Sequence, residues 1–183
     1  MVQLVRPQQR LLSDYPKVVV DAGPLISILV LKHAFTLAPD AANAIIRRSV
    51  VASYLQTDDS AQRAIVRLFD HVAVIVTTSH VIGELQGLQT LKGDSPKVFW
   101  EMSMNWLRSK GLDENLITLV QLHSHPRSKT LVCEIGPTDS GLIELAMRER
   151  LPLLTDDPRT MRGRAIQNGI DCRIVEDELK RYE

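Results

Sequence analysis

The stretch Lys17-Val-Val-Val-Asp-Ala-Gly-Pro-Leu25 decides the fold. Three consecutive β-branched residues with no polar alternation suit a strand buried on both faces, as in a parallel sheet covered by helices. Gly23 and Pro24 end that strand, predicted over 17–21. Pro24 also suits the first turn of a helix, where an N–H is left unpaired in any case. Residues 25–35 are apolar enough to form that helix. Asp21 then stands at a strand-to-helix junction.

Working outward, the same alternation recurs. Helices are predicted over 39–56 and 58–70, a strand over 72–76, and a helix capped at Thr78-Ser79 and running to residue 91. Residues 92–96 read as a loop and 97–110 as a helix ended by Gly111. A strand is predicted over 116–122, followed by a long irregular connection over 123–137. A helix over 138–150, a strand over 151–154, a helix over 158–168 closed by Gly169 and a strand over 172–175 complete the chain. Residues 1–16 read as a polar N-terminal leader. Short apolar strands alternating with helices predict an α/β fold, a three-layer α/β/α sandwich around a central parallel sheet.

Composition bounds the rest. The chain has 183 residues, 44% of them apolar, which suits one domain with a full core. Lys plus Arg and Asp plus Glu each number 22, so the net charge is zero and no overall field gathers polyanions. With only eight aromatic residues, a base-stacking platform is not expected. Cys133 and Cys172 read as reduced, part-buried small residues. The longest apolar stretch, over 25–31, is broken by Ser27 and falls far short of the ~20 residues a membrane span needs. A soluble, cytoplasmic protein with no membrane partner is expected.

In parallel sheets, ligands bind beyond the carboxyl ends of the strands. Carboxylates recur there: Asp21 after the first strand, Asp156 and Asp157 after Thr155, Glu84 on the helix after the second strand, and Asp139 in the first turn of the helix beginning at Thr138. On a helical wheel Glu84 lies at the margin of the stripe formed by Val81, Leu85 and Leu88, and Asp139 shares a face with Leu142, Ile143 and Ala146. Each acid has a plainer reading. Asp157 before Pro158 and Asp139 after Thr138 suit helix caps, Asp21 can simply end a strand, and Glu84 can snorkel to water. Taken together, several carboxylates at one edge raise each other's pKa and ask for a cation. Oxygen-only ligands select Mg²⁺ or Mn²⁺ over Zn²⁺. Such a site activates water for attack on a phosphodiester.

These residues resemble the PIN-domain nucleases, over about residues 17–175. The resemblance rests on four pieces. Val18-Val-Val-Asp-Ala-Gly-Pro-Leu25 resembles the opening strand and first acid. Thr78-Ser-His-Val-Ile-Gly-Glu-Leu85 resembles the helix of the second acid. Thr138-Asp-Ser-Gly-Leu-Ile-Glu-Leu-Ala146 resembles the third, and Leu153-Leu-Thr-Asp-Asp157 the fourth. The resemblance implies a PIN-like nuclease domain over 17–183. It implies that Asp21, Glu84, Asp139 and Asp157 are catalytic and bind Mg²⁺ or Mn²⁺, with Thr155 beside them and Asp156 as an alternative fourth acid. The implied activity is metal-dependent endoribonuclease cleavage of RNA, as in the toxins of VapBC-type toxin–antitoxin pairs. An RNA substrate, an antitoxin protein and a homodimer are the partners it suggests. The alternative is a catalytically inactive PIN-like module that binds RNA or a protein.

One departure concerns length. About sixty residues separate Asp21 from Glu84, more than in compact toxins, and the excess lies between Pro39 and Asp70. The regions 95–108 and 123–137 are also atypical. These segments suit a dimer surface, a substrate lip or a partner site. Arg159 and Arg162 follow the fourth acid and are candidates for RNA phosphates, against the plainer reading of a solvated helix face. Arg47-Arg48 and Arg127 with Lys129 are weaker candidates. His123 and His125 read as a loop pair, not a metal site. Phe99, Trp100, Met102, Met104 and Trp106 read as helix or interface packing. A metal-filled acidic face is less negative than its formula, so zero net charge is compatible with RNA held modestly and only with metal.

Overall fold

Val18, Val19 and Val20 are fully buried and flanked by a strand on each side, as an unbroken β-branched run requires. In the protein's computed structural model, which describes residues 10–49, 51–86, 96–124 and 126–182, five strands form one sheet. They are β1 (Val18–Val20), β2 (Ile75–Thr78), β3 (Asp113–Asn115), β4 (Leu153–Thr155) and β5 (Cys172–Ile174). The order is β3-β2-β1-β4-β5, and every pairing is parallel.

The β1–β2 connection holds α1 (Ala22–Ala34), α2 (Pro39–Arg48), α3 (Ser53–Thr57) and α4 (Asp59–His71). Between β2 and β3 lie α5 (Ser79–Gln86) and α6 (Pro96–Ser109). Between β3 and β4 lie α7 (Leu119–Ser124), α8 (Pro126–Ile135) and α9 (Pro137–Glu149). Then α10 (Met161–Gln167) joins β4 to β5, and α11 (Val175–Leu179) follows. Helix α1 packs with α4 and α6, and α11 joins α4 in the same layer. Helix α9 covers β1, β2 and β4 from the opposite side, with α7, α8 and α10 beside it. Right-handed crossovers dictate this split, because the chain moves one way from β1 to β3 and the other way from β3 to β5. The result is the expected three-layer α/β/α sandwich. Helix α5 touches both α1 and α9 and lies between the layers.

Several elements differ from the expectation. The third strand is Asp113–Asn115, not 116–122. It is a polar edge strand whose backbone pairs with β2, so it needs no apolar side chains. The 116–122 stretch instead opens α7. Thr118 Oγ1 accepts the N–H of Gln121 at 3.2 Å while Gln121 Oε1 accepts the N–H of Thr118 at 2.8 Å. That is a capping box, which commits the backbone to a helix. The irregular connection expected over 123–137 contains α8. There Ser128 and Leu131 are buried and Val132 and Ile135 half-buried, at helical spacing. His123 is exposed near the end of α7, and His125 lies outside the described residues. The single helix expected over 39–56 breaks into α2 and α3. The strand expected over 72–76 runs later, through Thr78. The helix expected to reach residue 91 is described only to Gln86. Helix α11 was not anticipated.

The described part of the leader is tied to the domain. Leu12 is fully buried, the Tyr15 hydroxyl donates to Asp171 at 2.9 Å, and Arg173 Nη2 donates to the Arg10 carbonyl at 3.0 Å. The buried Arg173 guanidinium also grips Asp171 bidentately, at 2.6 and 2.8 Å. The aromatic residues of α6 serve packing: Phe69 meets Trp106 edge-on at 6.0 Å, and Phe99 meets Trp100 at 5.6 Å. Cys133 is exposed instead of part-buried, because it lies on the outer face of α8. Cys172 is half-buried, and burial pushes its thiol up to about 11. Among the described residues no helix is long and apolar enough to cross a membrane.

Leu12→Ala therefore removes a filled core position, and urea denaturation should show a loss of about 2–4 kcal/mol. A loss no larger than that of an exposed substitution would mean that residues 10–16 do not pack on the sheet.

Candidate functional site

The strand order reverses between β1 and β4. Chain segments leaving the two strands diverge to opposite faces there, which opens a crevice at their carboxyl ends. Asp21 directly follows β1, and Thr155 ends β4. The buried Thr155 hydroxyl crosses the gap, donating to Asp21 Oδ2 at 2.6 Å and accepting the Asp157 N–H at 3.0 Å. Asp21 Oδ1 accepts the N–H of Ala22 at 2.6 Å, so Asp21 also caps α1. On the other side of β1, the Thr77 hydroxyl donates to the Val20 carbonyl at 2.9 Å. The plain capping role and the site position coexist in Asp21.

Burial pushes the Asp21 carboxyl up. The bonds from Thr155 and Ala22 pull it down, and the charges of Glu84 and Asp157 push it up again. Asp139, half-buried in the first turn of α9, is pushed up to about 6 by burial first, then by the charges of Asp21, Asp157 and Glu84. This occurs although a helix N-terminus favours a negative side chain. Glu84 is exposed on α5, yet its charge reaches both Asp21 and Asp139. The structure thus brings Asp21, Glu84, Asp139 and Asp157 into one electrostatic group.

The adjacent acids take different places. Asp157 Oδ1 accepts the N–H groups of Arg159 and Thr160, both at 2.9 Å. It caps a turn over 158–160, and α10 begins only at Met161, later than expected. Asp156 has a different partner. Its Oδ1 accepts the Tyr54 hydroxyl at 3.1 Å. Its Oδ2 lies 3.2 Å from where a Cβ on Gly23 would stand. Burial pushes Asp156 up to about 6, the Tyr54 bond lowers it, and the Asp21 charge raises it. Tyr54 was not foreseen. It comes from α3, about a hundred residues before Asp156, and a lone Tyr in a helix carries no local signal.

Arg159 is exposed on the turn after Asp157. Arg162 is also exposed, with its guanidinium 3.6 Å from Asp177 on α11. Arg164 pairs with Glu134 at 3.0 Å. Arg47, Arg127 and Lys129 are exposed on α2 and α8.

The donor set is hard oxygen throughout, suited to Mg²⁺ or Mn²⁺. Carboxylates that are desolvated and raise one another carry charge that a divalent cation would neutralise. Among the described residues no three His, Cys, Asp or Glu side chains converge closely enough to hold an ion. The carboxylates ring the crevice without closing on one point. No family model matches this chain, and none of the curated proteins or solved structures is significantly similar to it.

The Asp139 shift has a consequence for stability. Its folded pKa of about 6 exceeds the unfolded value of roughly 3.9. The folded state therefore binds the extra proton between those values, and stability falls as pH rises through them. Asn carries no such penalty. In metal-free protein Asp139→Asn should be more stable than wild type at pH 8, by on the order of 1 kcal/mol after allowance for partial exposure. The gap should close as pH falls toward 4. Thermal melts across that range would refute the shift if the difference did not vary with pH.

Proposed function

We propose that the protein is a Mg²⁺- or Mn²⁺-dependent endoribonuclease of the PIN type. The observation that carries this reading is the grouping of Asp21, Glu84, Asp139 and Asp157 at the β1/β4 crevice, with Asp21 and Asp139 both raised by burial and by the other acids. Ordinary caps and strand ends do not need to gather charge in this way.

When bound, a divalent cation supplies positive charge for the phosphodiester and lowers the pKa of a water for attack. Asp21, Asp139 and Asp157 are the residues that would hold it. Thr155 fixes the rotamer of Asp21 through the 2.6 Å bond and so orients its remaining lone pairs. Glu84, exposed on α5, would complete the group and orient a water. Arg159 stands on the solvent side, where flanking phosphates would pass. The zero net charge predicts modest affinity dependent on the cation. An antitoxin partner and a homodimer belong to the same proposal, and the exposed Phe35 and Leu116 offer apolar surface for contact.

Asp21→Asn and Asp139→Asn should each lower Mn²⁺-dependent cleavage of a mixed single-stranded RNA at least about a hundredfold, with circular dichroism unchanged. Calorimetry should show Mn²⁺ binding that Asp21→Asn abolishes. Wild-type cleavage in either variant would end the acid-site mechanism. Mn²⁺ binding that ignores Asp21, with RNA or protein binding retained, would favour the inactive module.

A further inference from the structure

Four elements of the fold meet at Gly141, two residues after Asp139 in α9. A Cβ built there would stand 3.7 Å from Thr78 Cγ2, 3.9 Å from His80 Cδ2 and 3.9 Å from Ile117 Cγ2. These three residues come from the end of β2, the first turn of α5 and the segment between β3 and α7. The distances are those of ordinary contact, so all three neighbours close on the α9 backbone to about the width of a methyl group. The junction adjoins the candidate site. Val19 pairs with Val76 in the parallel register, so Thr78 stands level with Asp21. Glu84 follows His80 by one turn on the same face of α5.

Apolar packing at such a junction has no preferred direction. His80 supplies a directional link. Its ring is half-buried, and Nε2 lies 2.9 Å from the carbonyl of the buried Ile117. A carbonyl only accepts, so Nε2 carries the proton and donates it. A hydrogen bond of that length constrains angle as well as distance. Ile117 is braced in turn, because the next residue, Thr118, closes the capping box with Gln121. His80 thus ties α5 to a fixed point beside the first turn of α9.

We infer that His80 is a positioning residue: through Ile117 and Gly141 it sets the spacing between α5 and α9, and with it the spacing of Glu84 and Asp139. This rests on the metal-site reading above. Helices α5 and α9 pack together, each carrying one of the two acids. Without the His80 donor, the Ile117 carbonyl loses its partner and the first turn of α5 is held against α9 by apolar contact alone. The helices can then slide, the two carboxylates drift apart, and a cation that draws on both is bound less well.

Calorimetry with the full chain and Mn²⁺ alone tests this, run on wild type, His80→Ala, His80→Leu, His80→Gln and Asp21→Asn, with a thermal melt for each. Leu fills the space of the ring without a donor, so it serves if the Ala variant does not fold. Gln places an amide N–H where Nε2 stands and keeps the bond. His80→Ala and His80→Leu should weaken Mn²⁺ binding about tenfold, the lower end of what loss of an outer hydrogen bond costs at metal sites. His80→Gln should retain most of the wild-type affinity. A purely structural role would lower the melting temperature of the Ala and Leu variants and leave their Mn²⁺ affinity at the wild-type value, which overturns the inference. Equal losses in His80→Gln and His80→Leu, while Asp21 remains essential, overturn the positioning role alone, because the hydrogen bond then sets nothing. If wild type binds no Mn²⁺, or Asp21→Asn binds it as well as wild type, the metal-site reading fails and this inference with it.

Discussion

A carboxylate has to be kept where the sheet changes direction, and most of the molecule is arranged around that demand. Asp21 leaves a strand whose three residues are fully buried. Its side chain cannot turn to bulk water without breaking the bonds from Thr155 and Ala22, each 2.6 Å. Those bonds join β1, β4 and the start of α1 at one point. They favour the ionised form while burial opposes it. The outcome is a desolvated, oriented carboxyl, costly for the fold alone and useful wherever a cation or a proton is to be handled.

The other acids increase the tension instead of relieving it. Asp139 enters from the layer opposite α1, Glu84 from the helix between the layers, and Asp157 from the turn after β4. Only a parallel sheet with a switch point brings four separated segments to one edge in this way. The opposite edge has different electrostatics. There Asp171 is matched by the buried Arg173 and by Tyr15, so its charge is compensated. One end of the sheet pairs its buried charge and the other end accumulates it. That asymmetry is what the proposed function draws on.

Much of the architecture was legible because its signals are local. The valine run, the Gly-Pro after it and the Leu-Leu-Thr before two aspartates each constrain backbone or burial within a few residues. Local composition and the observed element differ where a competing local signal or a tertiary partner decides. The apolar 116–122 stretch has strand composition, yet the Thr118–Gln121 capping box turns it into a helix. The amphipathic spacing of α8 was masked by its polar residues. Asp113–Asn115 has no apolar strand signature and forms a strand by pairing its backbone with β2.

By itself the sequence determined the α/β class and the parallel sheet, and it singled out Asp21, Asp139 and Asp157 at strand ends and helix starts and Glu84 on the helix after the second strand, since strand burial and helix periodicity leave a direct imprint on residue order. It also left Asp156 and Asp157 indistinguishable. Only the tertiary structure gives them different partners, a hydroxyl on α3 for Asp156 and the N–H groups of Arg159 and Thr160 for Asp157. Contacts between residues about a hundred positions apart leave no pattern along the chain. They exist only once the layers have packed.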